Sequence, residues 1–177
     1  MSVSIQTETL KHVHHPMNAM REQIAQETAA HRPRCDISGR CCHFEKYGHR
    51  MYVTALEAAY VVERAGHSIA KSDVERALRE GNCPFLRQGQ CSIHAERPLG
   101  CRIFFCDSSA TAWQNDLYER MHQRMIALHE EHDVEYNYGE WRAQLMQCVP
   151  EERGATEVAL PCEDHTQFVQ LRIERAS

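Results

Sequence analysis

The 177-residue sequence contains no long hydrophobic run. Its longest apolar stretch, Ala58 to Val62, is far short of the roughly twenty residues that cross a bilayer, so no membrane partner is expected. The first sixteen residues lack the apolar core of a secretory signal, which points to the cytoplasm, where thiols stay reduced. There is no basic excess: 20 Lys and Arg stand against 25 Asp and Glu, a net charge of −5 that argues against a general nucleic-acid binder. No glycine-rich loop follows a strand in the way that would hold S-adenosylmethionine. No paired carboxylates and no nucleophile–base arrangement announce a reaction. Internal repeats and low-complexity tracts are absent too. Hydrophobic residues at 42% and charged residues at 25% match an ordinary globular chain, long enough to bury a core.

Cysteine is what the chain has in surplus. Seven of nine fall between Cys35 and Cys106. Cys35, Cys41 and Cys42 form a first knot; Cys83, Cys91, Cys101 and Cys106 form a second group. The odd total fits complete disulfide pairing poorly, and clustered thiols in reducing surroundings point to a metal or an iron–sulfur centre. Zinc takes four thiolate or imidazole ligands, and an iron–sulfur cluster is usually held by four thiolates. Both need ligands on irregular backbone, which the Gly- and Pro-containing segments around 35–42 and 83–106 supply. Seven thiols exceed the four of one site, so some are non-ligands or the site holds a cluster or two metals. Neighbouring Cys41 and Cys42 would point to opposite sides of an extended backbone. Arg34, Arg40, Arg97 and Arg102 flank cysteines, and Arg102 is the first candidate to offset thiolate charge. His43 and His94 are candidate extra ligands. Cys148 reads as a core residue of a helix, and Cys162 has no evident role.

The remaining pattern is mainly helical. Residues 1–16, with Lys11-His12-Val13-His14-His15-Pro16, read as a flexible tail, and 17–177 as a single domain around a 35–106 metal-binding core. Periodicity predicts a helix from Met17 to about Arg32, ended by Pro33. Gly39 and Gly48 mark turns, and His49 to Val53 reads as extended. Thr54 and Glu57 form a capping box for a helix ending at Gly66, and Ser72 opens a second helix ending at Gly81. These two helices fold back and bring the cysteine groups together. Asp107, Ser108 or Ser109 caps a long helix to about Glu131, with Trp113, Leu117, Met121, Met125 and Leu128 as its core face. Tyr138 to Cys148 reads as a short helix packed by Trp141, Leu145 and Met146. Alternation at Val169, Leu171 and Ile173 predicts a minor C-terminal β-hairpin with Thr156 to Leu160. The expected fold is a small, mainly α domain with cysteine-rich metal-binding loops.

At these residues the chain resembles the YkgJ-type cysteine-cluster family of zinc- or iron-chelating domains. The family pattern runs C-x-x-C-x-x-C-C, a Thr/Ser-x-x-Glu helix start, CPFL, C-x-I-Y and RP-x-x-CR. Its counterparts here are Cys35, Cys41 and Cys42; Thr54 and Glu57; Cys83-Pro84-Phe85-Leu86; Cys91-Ser92-Ile93-His94; and Arg97-Pro98 with Cys101-Arg102. Two departures matter. Ser38 replaces the second cysteine of the first motif, and His94 replaces the tyrosine. The resemblance implies chelation of zinc or an iron–sulfur cluster, with Cys41, Cys42, Cys83, Cys91 and Cys101 as leading ligands and Cys106 a compensating one. It implies no reaction. A metal-dependent enzyme, with Glu45, His43 and His94 as the nearest acid–base groups, and a thiol-based redox-sensing module are the competing functions.

Overall fold

A computed structural model describes residues 5–35, 38–66 and 69–152. The first helix, α1 (Thr7–His31), begins ten residues ahead of the expected start and takes in residues 7–16, read from the sequence as tail. The reason is its buried stripe. Val13, Met17, Met20 and Ile24 recur at steps of three and four and are all essentially inaccessible to solvent. Pro16 lacks the N–H that would bond back within the helix, and the apolar stripe runs straight past it. The helix ends as the sequence predicts. Arg32 takes a left-handed conformation and donates to Thr28 O, and Pro33 follows.

A short strand, β1 (Tyr52–Thr54), leads into α3 (Ala55–Ala65), after the one-turn α2 (Phe44–Tyr47). Thr54 Oγ1 accepts the Glu57 N–H at 3.2 Å, as the cap motif predicts. Helix α4 (Lys71–Glu80) starts one residue before Ser72, the expected cap. Asp73 takes the capping role, its buried carboxylate accepting the Ala70 N–H at 3.0 Å. Gly81 closes α4 in the left-handed conformation. Next come a minimal hairpin of β2 (Leu86–Arg87) and β3 (Gln90–Cys91), α5 (Leu99–Ile103) and α6 (Thr111–Glu131). Asp107 caps the 3-10 turn ahead of α6.

The helix expected from Tyr138 divides in two. Tyr138–Glu140 forms β4, antiparallel to β1 with Val53 opposite Gly139. Only then does α7 (Trp141–Cys148) begin, with the Glu140 carboxylate accepting the N–H groups of Arg142 and Ala143. Helix α7 packs against both α3 and α4, so the two helices between the cysteine groups meet across it. The expected C-terminal hairpin and Cys162 lie outside the described residues.

Among the described residues two buried clusters result. One gathers Cys42, Phe44, Val53, Ala58, Val61, Val74, Cys83, Phe85, Ile93, Trp141 and Leu145. The other packs α1 and α6 around α5, with Met17, Met20, Met121 and Met125 beside Leu99, Ile103 and Leu117. Helix α3 divides its faces between them: Ala58 and Val61 join the first, Leu56 and Tyr60 the second. The described part is a small, mainly helical domain, as the sequence predicts.

Candidate metal centre

The first cysteine knot is a tight turn, not an extended segment. Gly39, at φ 66°, opens a 3-10 turn over Arg40–Cys42, and the Cys42 N–H bonds Gly39 O at 2.9 Å. Only glycine fits there, because a Cβ would run into the carbonyl of Gly89 in the β2–β3 turn. Successive side chains on a 3-10 turn are rotated by about 120°, so Cys41 and Cys42 need not face apart. Cys41 is exposed and Cys42 buried, as the expectation of differently facing neighbours has it, yet the two thiols still act on each other.

Three contacts stitch this knot to the second cysteine loop. The Cys83 N–H donates to Cys42 O at 2.7 Å, the Glu45 N–H to Gly81 O at 3.0 Å, and His43 Nδ1 to Asn82 Oδ1 at 2.9 Å. Cys91 comes from β3, opposite Leu86 in the hairpin whose turn, Gln88–Gly89, has positive φ at both residues. Cys101 comes from α5. The thiol of buried Cys42 is the hub, in contact with Cys41, Cys83 and Cys91, and Cys101 sits in the field of Cys83, Cys91 and Cys41. Five of the seven expected ligands are thus brought together. Cys35 and Cys106 are both exposed. Their segments are tied together, since the Arg34 N–H donates to Asp107 Oδ2 at 2.9 Å, and both thiols lie at the surface.

Hydrogen bonding splits the hub's acidities. Contacts with Cys41, Cys83 and Cys91, then burial, hold the Cys42 thiol protonated, far above the usual thiol range. The same contact with Cys42 lowers Cys41 to about 6 and brings Cys91 down as well. Burial, then the neighbouring sulfurs, pushes Cys101 up. Arg97 opposes that rise, and its charge favours the thiolates of Cys41, Cys91 and Cys101. Arg102, the cation favoured from sequence, is turned mainly to backbone, with Nε donating to Arg97 O at 2.9 Å and a second nitrogen to Ala95 O. Arg97 at the start of RP-x-x-CR is therefore the principal charge partner, a role the sequence hid because Arg102 is the arginine adjacent to Cys101.

The histidines and Glu45 take other positions. His43 is engaged with Asn82, and His49, not singled out by sequence, donates from Nε2 to Cys41 O at 3.1 Å. Glu45 pairs with Arg50 at 2.9 Å and with buried Arg142 at 3.3 Å, so it braces the knot to α7. Cys148 packs along α7, with burial raising its thiol to about 12, which fits a core role. A cleft of about 310 Å³ borders the hub, lined by Arg76, Glu80, Asn82, Cys83, Arg87 and Gln88.

The donor set is all sulfur, which suits zinc or iron. Among the described residues no group of three or more His, Cys, Asp or Glu is already set as a metal shell, so chelation requires the thiols to draw in around the ion. No helix among those residues is long and apolar enough to cross a membrane.

Thiols on two stitched loops, with Cys42 and Cys83 buried, Cys91 and Cys101 partly buried and Cys41 exposed, are the donor set that a metal-chelating class of domain carries. Residues 34–119 match the model of the CxxCxxCC family, described as "Putative zinc- or iron-chelating domain", the family to which YkgJ belongs. No curated protein and no solved structure matches the chain.

Proposed function

We propose that this protein is a cytoplasmic metal carrier or metal-pinned module whose centre is held by Cys41, Cys42, Cys83, Cys91 and Cys101, with Cys35 and Cys106 as peripheral thiols. One observation carries the reading: the Cys42 thiol touches cysteines from both loops although up to 49 positions separate them. Packing alone does not favour gathering polar, ionisable sulfurs in this way, whereas a metal does. Four thiolates on one zinc ion leave about two negative charges, which Arg97 partly offsets. An iron–sulfur cluster would use the same ligands and absorb the thiol surplus. Elemental analysis and a visible spectrum of anaerobically purified, tag-free protein separate the two. Colourless protein with about one zinc per chain gives the first, and brown protein with several irons the second. Metal-free protein that refuses both ions ends the proposal.

The cleft beside Cys83 favours a second reading, an enzyme that uses the centre. Its Arg76 and Arg87 guanidiniums, which share the Asp73 carboxylate, suit a small molecule carrying a carboxylate or phosphate. A metal-dependent spectrum unaltered by such anions removes that reading.

A further inference from the structure

Glu57 does more than cap its own helix. It is 6% exposed, and its Oε1 accepts the N–H of Leu99 at 2.6 Å, a contact that spans 42 positions. Leu99 is the first residue of α5, the helix that carries Cys101. Helix α5 has only five residues and no side-chain cap of its own, since Pro98 precedes it. Its leading N–H groups need an outside acceptor, and a short helix gains little from cooperativity. Glu57 is in turn held from below, its own N–H bonded to Thr54 Oγ1.

The site is costly for a carboxylate. Burial pushes Glu57 up to about 7, and the N–H groups of Leu99 and Thr54 only partly restore it. A leucine or methionine there would suit the neighbouring core better, unless the acceptor oxygen is required. What the oxygen reaches is the root of the helix that presents Cys101. On the other side of α5, Leu99 and Ile103 are anchored among the α1 and α6 methionines.

We infer that Glu57 is a positioning residue for the metal centre, a clip that fixes α5 so that Cys101 is presented to the Cys42 hub. The Thr54-x-x-Glu57 and Arg97-Pro98-x-x-Cys101 segments then act as one unit, the first supplying the acceptor that seats the second. The inference rests on the metal-centre reading but is tested apart from it.

The experiment compares wild type, Glu57→Ala and Glu57→Gln, each confirmed folded by circular dichroism. In metal-free, reduced protein, alkylation of each cysteine is timed by peptide mass spectrometry, with Cys148 in α7 as internal reference. Loss of one buried hydrogen bond corresponds to roughly a tenfold rise in local opening. Glu57→Ala should therefore label Cys101 about tenfold faster relative to Cys148, and Glu57→Gln, which keeps an acceptor oxygen, at nearly the wild-type rate. Cobalt(II) loading gives the second readout: the thiolate-to-cobalt band of Glu57→Ala weakens by one ligand's share and that of Glu57→Gln does not. Equal Cys101 labelling in wild type and Glu57→Ala overturns the inference, as does a glutamine variant that behaves like alanine. Faster labelling of Cys101 and Cys148 alike overturns it too, because that is general loosening. If wild type takes up no cobalt, zinc or iron, the metal-centre reading fails, while the labelling arm still decides whether the clip exists.

Discussion

The two cores are built from different material. The α1–α5–α6 core is joined by long helices whose methionines and leucines recur at helical spacing, and most of its backbone bonds lie within those helices. The core around Cys42 is closed by a 3-10 turn, one turn of helix and a two-residue hairpin. Its apolar side is supplied by α7 and one face of α3, but its other side is sulfur. Apolar burial at about 25 cal/mol per Å² stabilises the first kind of core without help. In the second, thiols in mutual contact contribute little until something coordinates them. One half of the domain is therefore a scaffold, and on the proposed function the other depends on its metal.

Metal removal is the strongest way to test that contrast. Structural zinc contributes on the order of 10 kcal/mol to small metal-dependent folds. Chelation should lower the melting temperature by at least about 10 °C, given the few degrees that each kcal/mol shifts a domain of this size. The loss should be local. Hydrogen exchange should accelerate across residues 38–50 and 81–97, with α1, α5 and α6 still protected. Uniform exchange, or an unchanged melting temperature, would show that the cores are one unit or that the thiols stand without a metal.

A pair of core truncations sharpens the same comparison at lower cost. Leu145, in α7, is fully buried against the thiol core, and Met121, in α6, is buried in the methionine core. Alanine at either position should cost about 2–5 kcal/mol in denaturant unfolding. Their effects on the metal should differ. Leu145→Ala loosens the support under the hub and should weaken zinc affinity, measured by competition with a chromophoric chelator. Met121→Ala should leave that affinity within about twofold, because well-separated sites act independently. Equal losses of affinity would join the two cores thermodynamically.

Much of this division is legible in the sequence. The α6 stripe at 117, 121, 125 and 128 is buried as its period predicts, and Gly39, Gly48 and Gly81 stand at left-handed turns. The motif order predicts which loops carry the thiols. Three features escaped for physical reasons. Helix α1 hides its first turns because charged and histidine residues surround Val13 and Pro16 interrupts the pattern, yet only the one buried face decides its register. β4 is three residues long and exists because β1 is there to pair with it, which no local signal encodes. The exposure of Cys35 and Cys106 is likewise tertiary: spacing shows that a thiol is near a motif, not that its turn aims it inward. Arg97 and Glu57 belong to the same class, since each acts on residues that only the fold brings close.

The smallest expected effect lies wholly within the scaffold half and gives the comparison its control. Glu27 on α1 receives two hydrogen bonds from the Arg120 guanidinium on α6, at 2.9 and 2.7 Å. That bond, supported by Gln23, lowers Glu27 from 4.5 to about 2. A depressed carboxylate stabilises the fold at pH above its unfolded value, and that stability is lost as pH falls from about 4.5 toward 2. The pair is partly solvated, so its worth is about 0.5–1 kcal/mol and not what the full shift would suggest. Arg120→Ala in chelator-treated protein should remove that increment at pH 6 and flatten the acid limb of the stability curve, with exchange quickening in α1 and α6. It should leave zinc affinity unchanged, because no thiol contact depends on the pair. If Arg120→Ala weakened the metal as much as Leu145→Ala does, the scaffold would be transmitting strain to the hub, and the two halves would have to be treated as one coupled body.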